Sequence, residues 1–257
     1  MNYVLKNSPL FLLVFIRISS FIVFVPFFNN TNYTIVIKVA FGFLLSILIF
    51  PVINTSSWAV PDDILSFIAL VTQEILIGLL AALVLIILLF ALELVGHVLG
   101  FQMAFSMARA VDATMQSRTN IIGVFLVLVG TMLFLSFRGD HYIIYAIKRS
   151  FDILSPGFIV VSKNLIGALS KLITNSFIIG FKLAAPAIIL LLFVDLTLGV
   201  IGKTSQKMQI FFVGLPLKIS IGMFSVSMIL GFITLVWKVQ IESLGFYLIK
   251  LFEFMRL

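Results

Sequence analysis

The chain alternates long apolar runs with short polar breaks. Six runs stand out, at residues 10–28, 35–53, 64–92, 121–137, 176–202 and 210–237. Each approaches or exceeds the ~20 residues that a spanning helix needs. None has the every-other-residue polarity of a half-buried strand, and in lipid the backbone must satisfy its own hydrogen bonds. The pattern predicts an all-α integral membrane protein with about six long apolar helices. Two sizeable interruptions, around 96–120 and 138–175, predict that some of these helices are broken or re-entrant. After residue 237 charges return. Lys238 and Glu242 are four apart and Lys250 and Glu253 three apart, so each pair can meet on one helix face. The tail therefore reads as a C-terminal amphipathic helix. No repeat and no shift in composition marks a boundary, so residues 1–257 read as a single membrane domain.

Composition sharpens this picture. The chain is 62% hydrophobic and only 11% charged, against about a quarter charged in soluble domains. The first apolar run follows Lys6 but is interrupted by Arg17 and lacks a nearby small-x-small cleavage pattern, so it reads as retained. The net charge of +7 is spread over loops rather than gathered in one patch, which argues for membrane orientation and against nucleic acid. If all six runs cross, nine basic residues share the side of both termini and four lie opposite. That excess places the termini in the cytoplasm.

Little in the chain supports chemistry. With no cysteine, disulfides and thiolate sites are excluded. Gly202-Lys203-Thr204 imitates the end of a phosphate-binding loop, but Thr197 stands where its first glycine belongs. His97 and His141 belong to no metal-ligand spacing. The carboxylates Glu74, Glu93 and Asp195 are far apart, and no nucleophile–base arrangement is evident. Neither an enzyme nor a cofactor is expected.

The informative polar residues are those stranded in apolar runs: Arg17, Glu74, Lys182, Asp195 and Lys218. An ion relay is one reading; pairing between helices or subunits is favoured, because no inverted repeat accompanies them. Gly214 and Pro216 precede Lys218 and mark a place where another backbone can come close. Gly96, Gly100, Ala104 and Ala108 recur every four residues and make a small-residue stripe for helix packing. The next stretch is short, polar and small-residued, which by itself reads as a solvent loop.

Several stretches carry a resemblance. They are RISSFIVFVPFF (17–28), QEILIGLL (73–80), LFLSFRGDHYIIYAIKRSFDILSPG (133–157), LAAPAIILLLFVDLTLGVIG (183–202) and MQIFFVGLPLKISIG (208–222). In this order the chain resembles the FliR family of flagellar export-gate subunits, which has counterparts in virulence secretion. The resemblance implies a structural, channel-forming subunit of the flagellar type III export gate. It implies assembly with FliP and FliQ, contact with FlhB, and exported flagellar proteins as transient cargo, in the bacterial inner membrane at the flagellar basal body. It also turns the loop after the third long helix into a pore plug, Ser106, Met107, Ala108, Arg109, Ala110, Val111, Asp112, Ala113, Thr114 and Met115. Where the family commonly has aspartate–proline, this chain has Asp112-Ala113, and Gln206 and Lys207 replace a usual proline and glutamine. Gly78, close behind Glu74, fits a close subunit contact. The virulence counterpart of the same fold and a stand-alone small-solute transporter are the alternatives.

Overall fold

The chain is a helical membrane protein. Its computed structural model describes residues 8–26, 34–55, 58, 63–103, 120–157, 162–204 and 210–256. Among the described residues there are seven α-helices and no strand. These are α1 (Ser8–Phe24), α2 (Ile35–Ile49, extended by a 3-10 turn to Val52), α3 (Ile64–Gln102), α4 (Ile121–Ser136), α5 (Gly139–Ile153), α6 (Lys163–Thr204) and α7 (Ile210–Met255). Four are long and apolar enough to cross a membrane, or five segments are if α4 and α5 count as one broken span. Between α4 and α5 stands Arg138, the N-cap of α5, which is left-handed at φ 55° and ψ 38°, a conformation that cannot propagate a right-handed helix.

Among the described residues each of the six apolar runs is mostly helical, but the helices do not stop where hydropathy falls. α3 continues through Gly96 and Gly100 to Gln102, and α6 begins at Lys163 rather than near 176. Most of the second interruption is helix as well. α5 buries Ile143, Ala146, Ile147, Ser150 and Phe151, a stripe at three- and four-residue spacing that makes an amphipathic helix with one covered face. The tail continues α7 without a break. It buries Ile241, Leu244, Leu248, Leu251 and Met255 while Lys238, Glu242, Lys250 and Glu253 stay exposed. Pro186 lies inside α6 and Pro216 inside α7, each removing one backbone donor without ending its helix.

The described chain forms two compact units. The first comprises Met1–Ile87, Arg138–Ile173 and Ile241–Leu257. Arg17 on α1 sits at its centre with 2% of its surface exposed. Its Nε donates to Glu74 Oε2 at 2.5 Å and its Nη2 to Oε1 at 3.0 Å, joining α1 to α3. Two further donors go to α5 and its end, Nη1 to Ser150 Oγ at 3.2 Å and Nη2 to the Leu154 carbonyl at 3.1 Å. The guanidinium also lies 4.2 Å from the centroid of the Phe151 ring. One turn along α3 from Glu74, Gly78 meets the α1 backbone. A Cβ there would come within 2.6 Å of the Arg17 carbonyl and 2.9 Å of the Phe21 nitrogen. On another face of α1, Gly42 of α2 plays the same part against Ser19. At the far end of the unit, Ser162 Oγ donates to the Phe254 carbonyl at 2.8 Å and fastens the start of α6 to the end of α7.

The second unit comprises Leu88–Phe137 and Thr174–Gln240. Its largest fully buried side chain is Trp237 on α7, 1% exposed, whose Nε1 donates to the Gly130 carbonyl of α4 at 2.8 Å. The edge-on pair Phe90–Phe177, with centroids 5.2 Å apart, packs α3 against α6.

Two outcomes follow for the first unit. Arg17→Met and Glu74→Leu should each destabilise by about 3–5 kcal/mol, because each leaves a buried charge unpaired. The double variant should lose less than the sum of the two, measured as thermal unfolding in detergent. Gly78→Leu should cost at least about 1–3 kcal/mol, since it meets backbone that cannot rotate away; unchanged yield and unfolding temperature would contradict the close contact.

Candidate functional site

Gly96 and Gly100, the described part of the small-residue stripe, belong to the second unit. Ala104 and the whole stretch Ser106–Met115, with Ala108 of the stripe, lie outside the described residues. The described residues on either side are Met103 and Asn120. On one side Met103, directly after α3, is fully buried, packed so closely on α7 that a Cβ on Gly222 would fall 2.4 Å from its Cγ. On the other side Asn120 opens α4. Its Oδ1 accepts from the Ile122 nitrogen at 3.1 Å, capping the helix, and its Nδ2 donates back to the Gly96 carbonyl of α3 at 2.6 Å.

Asn120 fits there because α3 has no side chains in the way. A Cβ on Gly100 would lie 2.6 Å from Asn120 Oδ1, and one on Gly96 would lie 2.1 Å from Gly123 Cα. Gly96 and Gly100 thus face α4 of the same chain. Asn120 is 8% exposed, and both ends of its amide are used. Losing either bond would strand a buried polar group, which costs about 1–3 kcal/mol. The sequence analysis did not single out Asn120. Its signal is there, an asparagine directly before an apolar helical run, the usual composition of a helix N-cap.

Asp195 on α6 and Lys218 on α7 form a direct ion pair within the second unit. The pair is not fully covered, with the Asp195 side chain 38% and the Lys218 side chain 20% exposed. Gly214, one turn before Lys218, lies against Leu198 of α6: a Cβ there would be 3.0 Å from Leu198 Cδ1. With Pro216 between them, Gly214 and Lys218 occupy the stretch of α7 that packs on α6. Lys182 is exposed on α6 and has no ion-pair partner among the described residues. Arg17, Glu74 and Gly78 come together in the first unit, as described above. Their partners Ser150, Phe151 and the Leu154 carbonyl carry no signal that a sequence pattern could have linked to Arg17.

The histidines make local, exposed contacts. His97 Nε2 is 3.7 Å from Glu93 Oε1 and His141 Nδ1 is 3.1 Å from Asp140 Oδ2. Among the described residues no group of three or more metal-ligating side chains gathers.

Comparison with known proteins agrees with this architecture. The family model of bacterial export proteins, family 1, matches residues 8–244. The flagellar biosynthetic protein FliR of Bacillus subtilis is 32% identical over 226 residues, 86% of each chain. FliR of Caulobacter vibrioides is 28% identical over 233 residues, 90% of this chain and 92% of that one. The secretion system apparatus protein SsaT of Salmonella typhimurium is 23% identical over 154 residues, 60% of each chain. A match that runs from the first turn of α1 into the last third of α7 leaves one assignment: the chain belongs to the FliR family of bacterial export proteins.

Proposed function

We propose that this chain is a structural, channel-forming subunit of the flagellar type III protein export gate. In this reading it sits in the bacterial inner membrane at the flagellar basal body. It assembles with FliP and FliQ, contacts FlhB, and helps line and plug the pore through which unfolded flagellar proteins leave. It carries out no bond-making chemistry, and the energy for export comes from elsewhere. The flagellar assignment over a virulence one is supported by identity and coverage, both higher for the FliR relatives than for SsaT.

The observation that carries the subunit reading is the length of uncovered apolar surface. Large exposed hydrophobics run along α7 from Phe212, 71% exposed, through Phe224 and Leu235 to Phe246, 62% exposed. That stretch measures about 51 Å along the helix at 1.5 Å per residue, against a hydrocarbon core of about 30 Å. Hiding all of it in lipid would need a tilt beyond the ~40° that spanning helices reach. Other protein has to cover the remainder. A solitary solute transporter would leave it wet. The half-exposed Asp195–Lys218 pair points the same way, because charges on a lipid-facing surface are costly.

The plug role is assigned to Ser106–Met115, carried over from the family resemblance. It is supported by the two fixed ends at Met103 and Asn120, which let the segment between them change without disturbing the packing of α3 and α4.

Three results are expected. Expressed without FliP and FliQ, the chain should not give a monodisperse species in detergent, and co-expression should restore one; a well-behaved lone monomer would contradict the subunit reading. Gly100→Leu should displace Asn120, at a cost of about 1–3 kcal/mol, and abolish motility together with complex yield. Deleting Ala110 to Thr114 should leave a complex that forms but leaks ions across the membrane. If that complex forms and the membrane stays tight, the segment is an ordinary loop.

A further inference from the structure

We infer that Lys182 is the point on α6 at which an apolar helix of a neighbouring export-gate subunit docks, and that this helix brings a carboxylate to it. The inference rests on the subunit reading given above and assigns it one contact. Three observations from the second unit meet at this residue.

The first is the face on which Lys182 stands. α6 turns Gly180, Leu183, Ala184, Ala187 and Leu191 inward, and a Cβ on Gly180 would lie 2.9 Å from the Ala91 carbonyl of α3. Lys182 and Pro186 fall on the other side of the helix, one turn apart, and both are exposed. Lys182 makes no ion pair or hydrogen bond with a described residue. The packing of α6 within the chain therefore makes no use of its charge.

The second is what surrounds it. Ile178, Phe181, Ile189 and Phe193 lie along or beside the same side of α6 and are 44%, 51%, 55% and 65% exposed. The nearest other charges on the helix are Lys171 and Asp195, about 16 and 20 Å away along its axis. One is of like sign and the other is already paired with Lys218. Lys182 is thus a single uncompensated charge in an apolar surface.

The third is Pro186. It lies inside α6 and has no N–H, so the carbonyl four residues earlier, that of Lys182, loses its helical donor. In an apolar setting a freed carbonyl is satisfied by a neighbouring helix, a hydroxyl or water. One exposed spot therefore carries a cation without a counter-charge and an acceptor without its helical donor.

These groups discriminate between possible covers. Acyl chains offer no acceptor to the ammonium and no donor to the carbonyl. Water offers both but would wet the four large apolar side chains beside them. A protein helix meets every requirement. Its apolar side chains cover Ile178, Ile189 and Phe193, its carboxylate neutralises Lys182, and a hydroxyl or amide next to that carboxylate donates to the freed carbonyl. Charge complementarity makes the carboxylate the essential group.

The test uses the complex purified after co-expression with FliP, FliQ and FlhB. A carbodiimide, which joins an amine to a touching carboxylate as an amide, is applied to the wild-type complex, and cross-linked peptides are read by mass spectrometry. Lys182 should be joined to an aspartate or glutamate of a neighbouring subunit. A water-soluble amine reagent should modify Lys182 far more slowly in the complex than in the unfolded chain. Lys182→Glu should lower the co-purified yield of the cross-linked subunit roughly tenfold, as expected when a covered carboxylate meets a like charge. Lys182→Arg should keep most of that yield, and the amount of the chain itself in the membrane should not change. Three results would overturn the proposal: no cross-link from Lys182 to another subunit, modification as fast in the complex as in the unfolded chain, which would place Lys182 at water or lipid headgroups, or full complex yield in Lys182→Glu. In each of these the wild-type complex still forms and the subunit reading stands. A wild-type chain that co-purifies with none of the three proteins would remove the subunit reading, and this proposal with it.

Discussion

The first unit depends on one ion pair. Arg17 is an ionised group with almost no access to solvent, on a helix whose other buried residues are apolar apart from Ser19 and Ser20. Such a group is tolerated only if its charge is matched and its donors find acceptors. The charge is matched and four of the five N–H donors are bonded, by the two oxygens of Glu74, by Ser150 Oγ and by the Leu154 carbonyl. Meeting them dictates more than the pair itself. α3 must run close enough for a bidentate contact, which requires Gly78 one turn away. α5 must present Ser150 and then end at Leu154, leaving that carbonyl free to accept. The nonpolar packing of α1 against α3 and α5 is thus registered by polar chemistry, which is directional where hydrophobic contact is not.

The second unit uses the same rule with different groups. Asn120 is neutral, so it needs no counter-charge, but it is buried and its two ends are both bonded. It converts the small-residue stripe on α3 from a general packing surface into a fixed register between α3 and α4. Asp195 and Lys218 are different again. They neutralise one another across the α6–α7 contact yet remain partly open, a halfway state that suits a surface awaiting another protein better than it suits lipid.

How far the sequence could anticipate this depends on what each pattern measures. Hydropathy reports compatibility with lipid. It therefore located every apolar run but missed α5, the first turns of α6 and the continuity of α7 with its tail, all of which are helix with a polar face. The stranded charges were legible as residues needing partners, since Arg17, Glu74, Asp195 and Lys218 stand out against their neighbours. Which pairs they form was not, because Arg17 and Ser150 are 133 positions apart and only the fold brings them together. Lys38 shows the opposite limit. Near the start of its run it looks like an ordinary boundary lysine, and only the close crossing of α1 and α2 at Gly42 and Ser19 makes it a buried one.

The three long helices add a constraint that no single contact expresses. α3, α6 and α7, with 39, 42 and 46 residues, are about 58, 63 and 69 Å long, roughly twice what a bilayer core can cover. A soluble protein would balance such length with a polar outer face. Here large apolar residues remain exposed far along α6 and α7, from Ile166 to Ile201 and from Phe212 to Phe246. Lipid can take part of that surface and water none of it without cost. Apolar surface of that extent is what a member of a multi-subunit export apparatus would leave for its neighbours to cover. In that reading, folding and assembly of a FliR-family chain are one process. The internal polar contacts of each unit, at Arg17 and at Asn120, fix the shape that the assembly then completes.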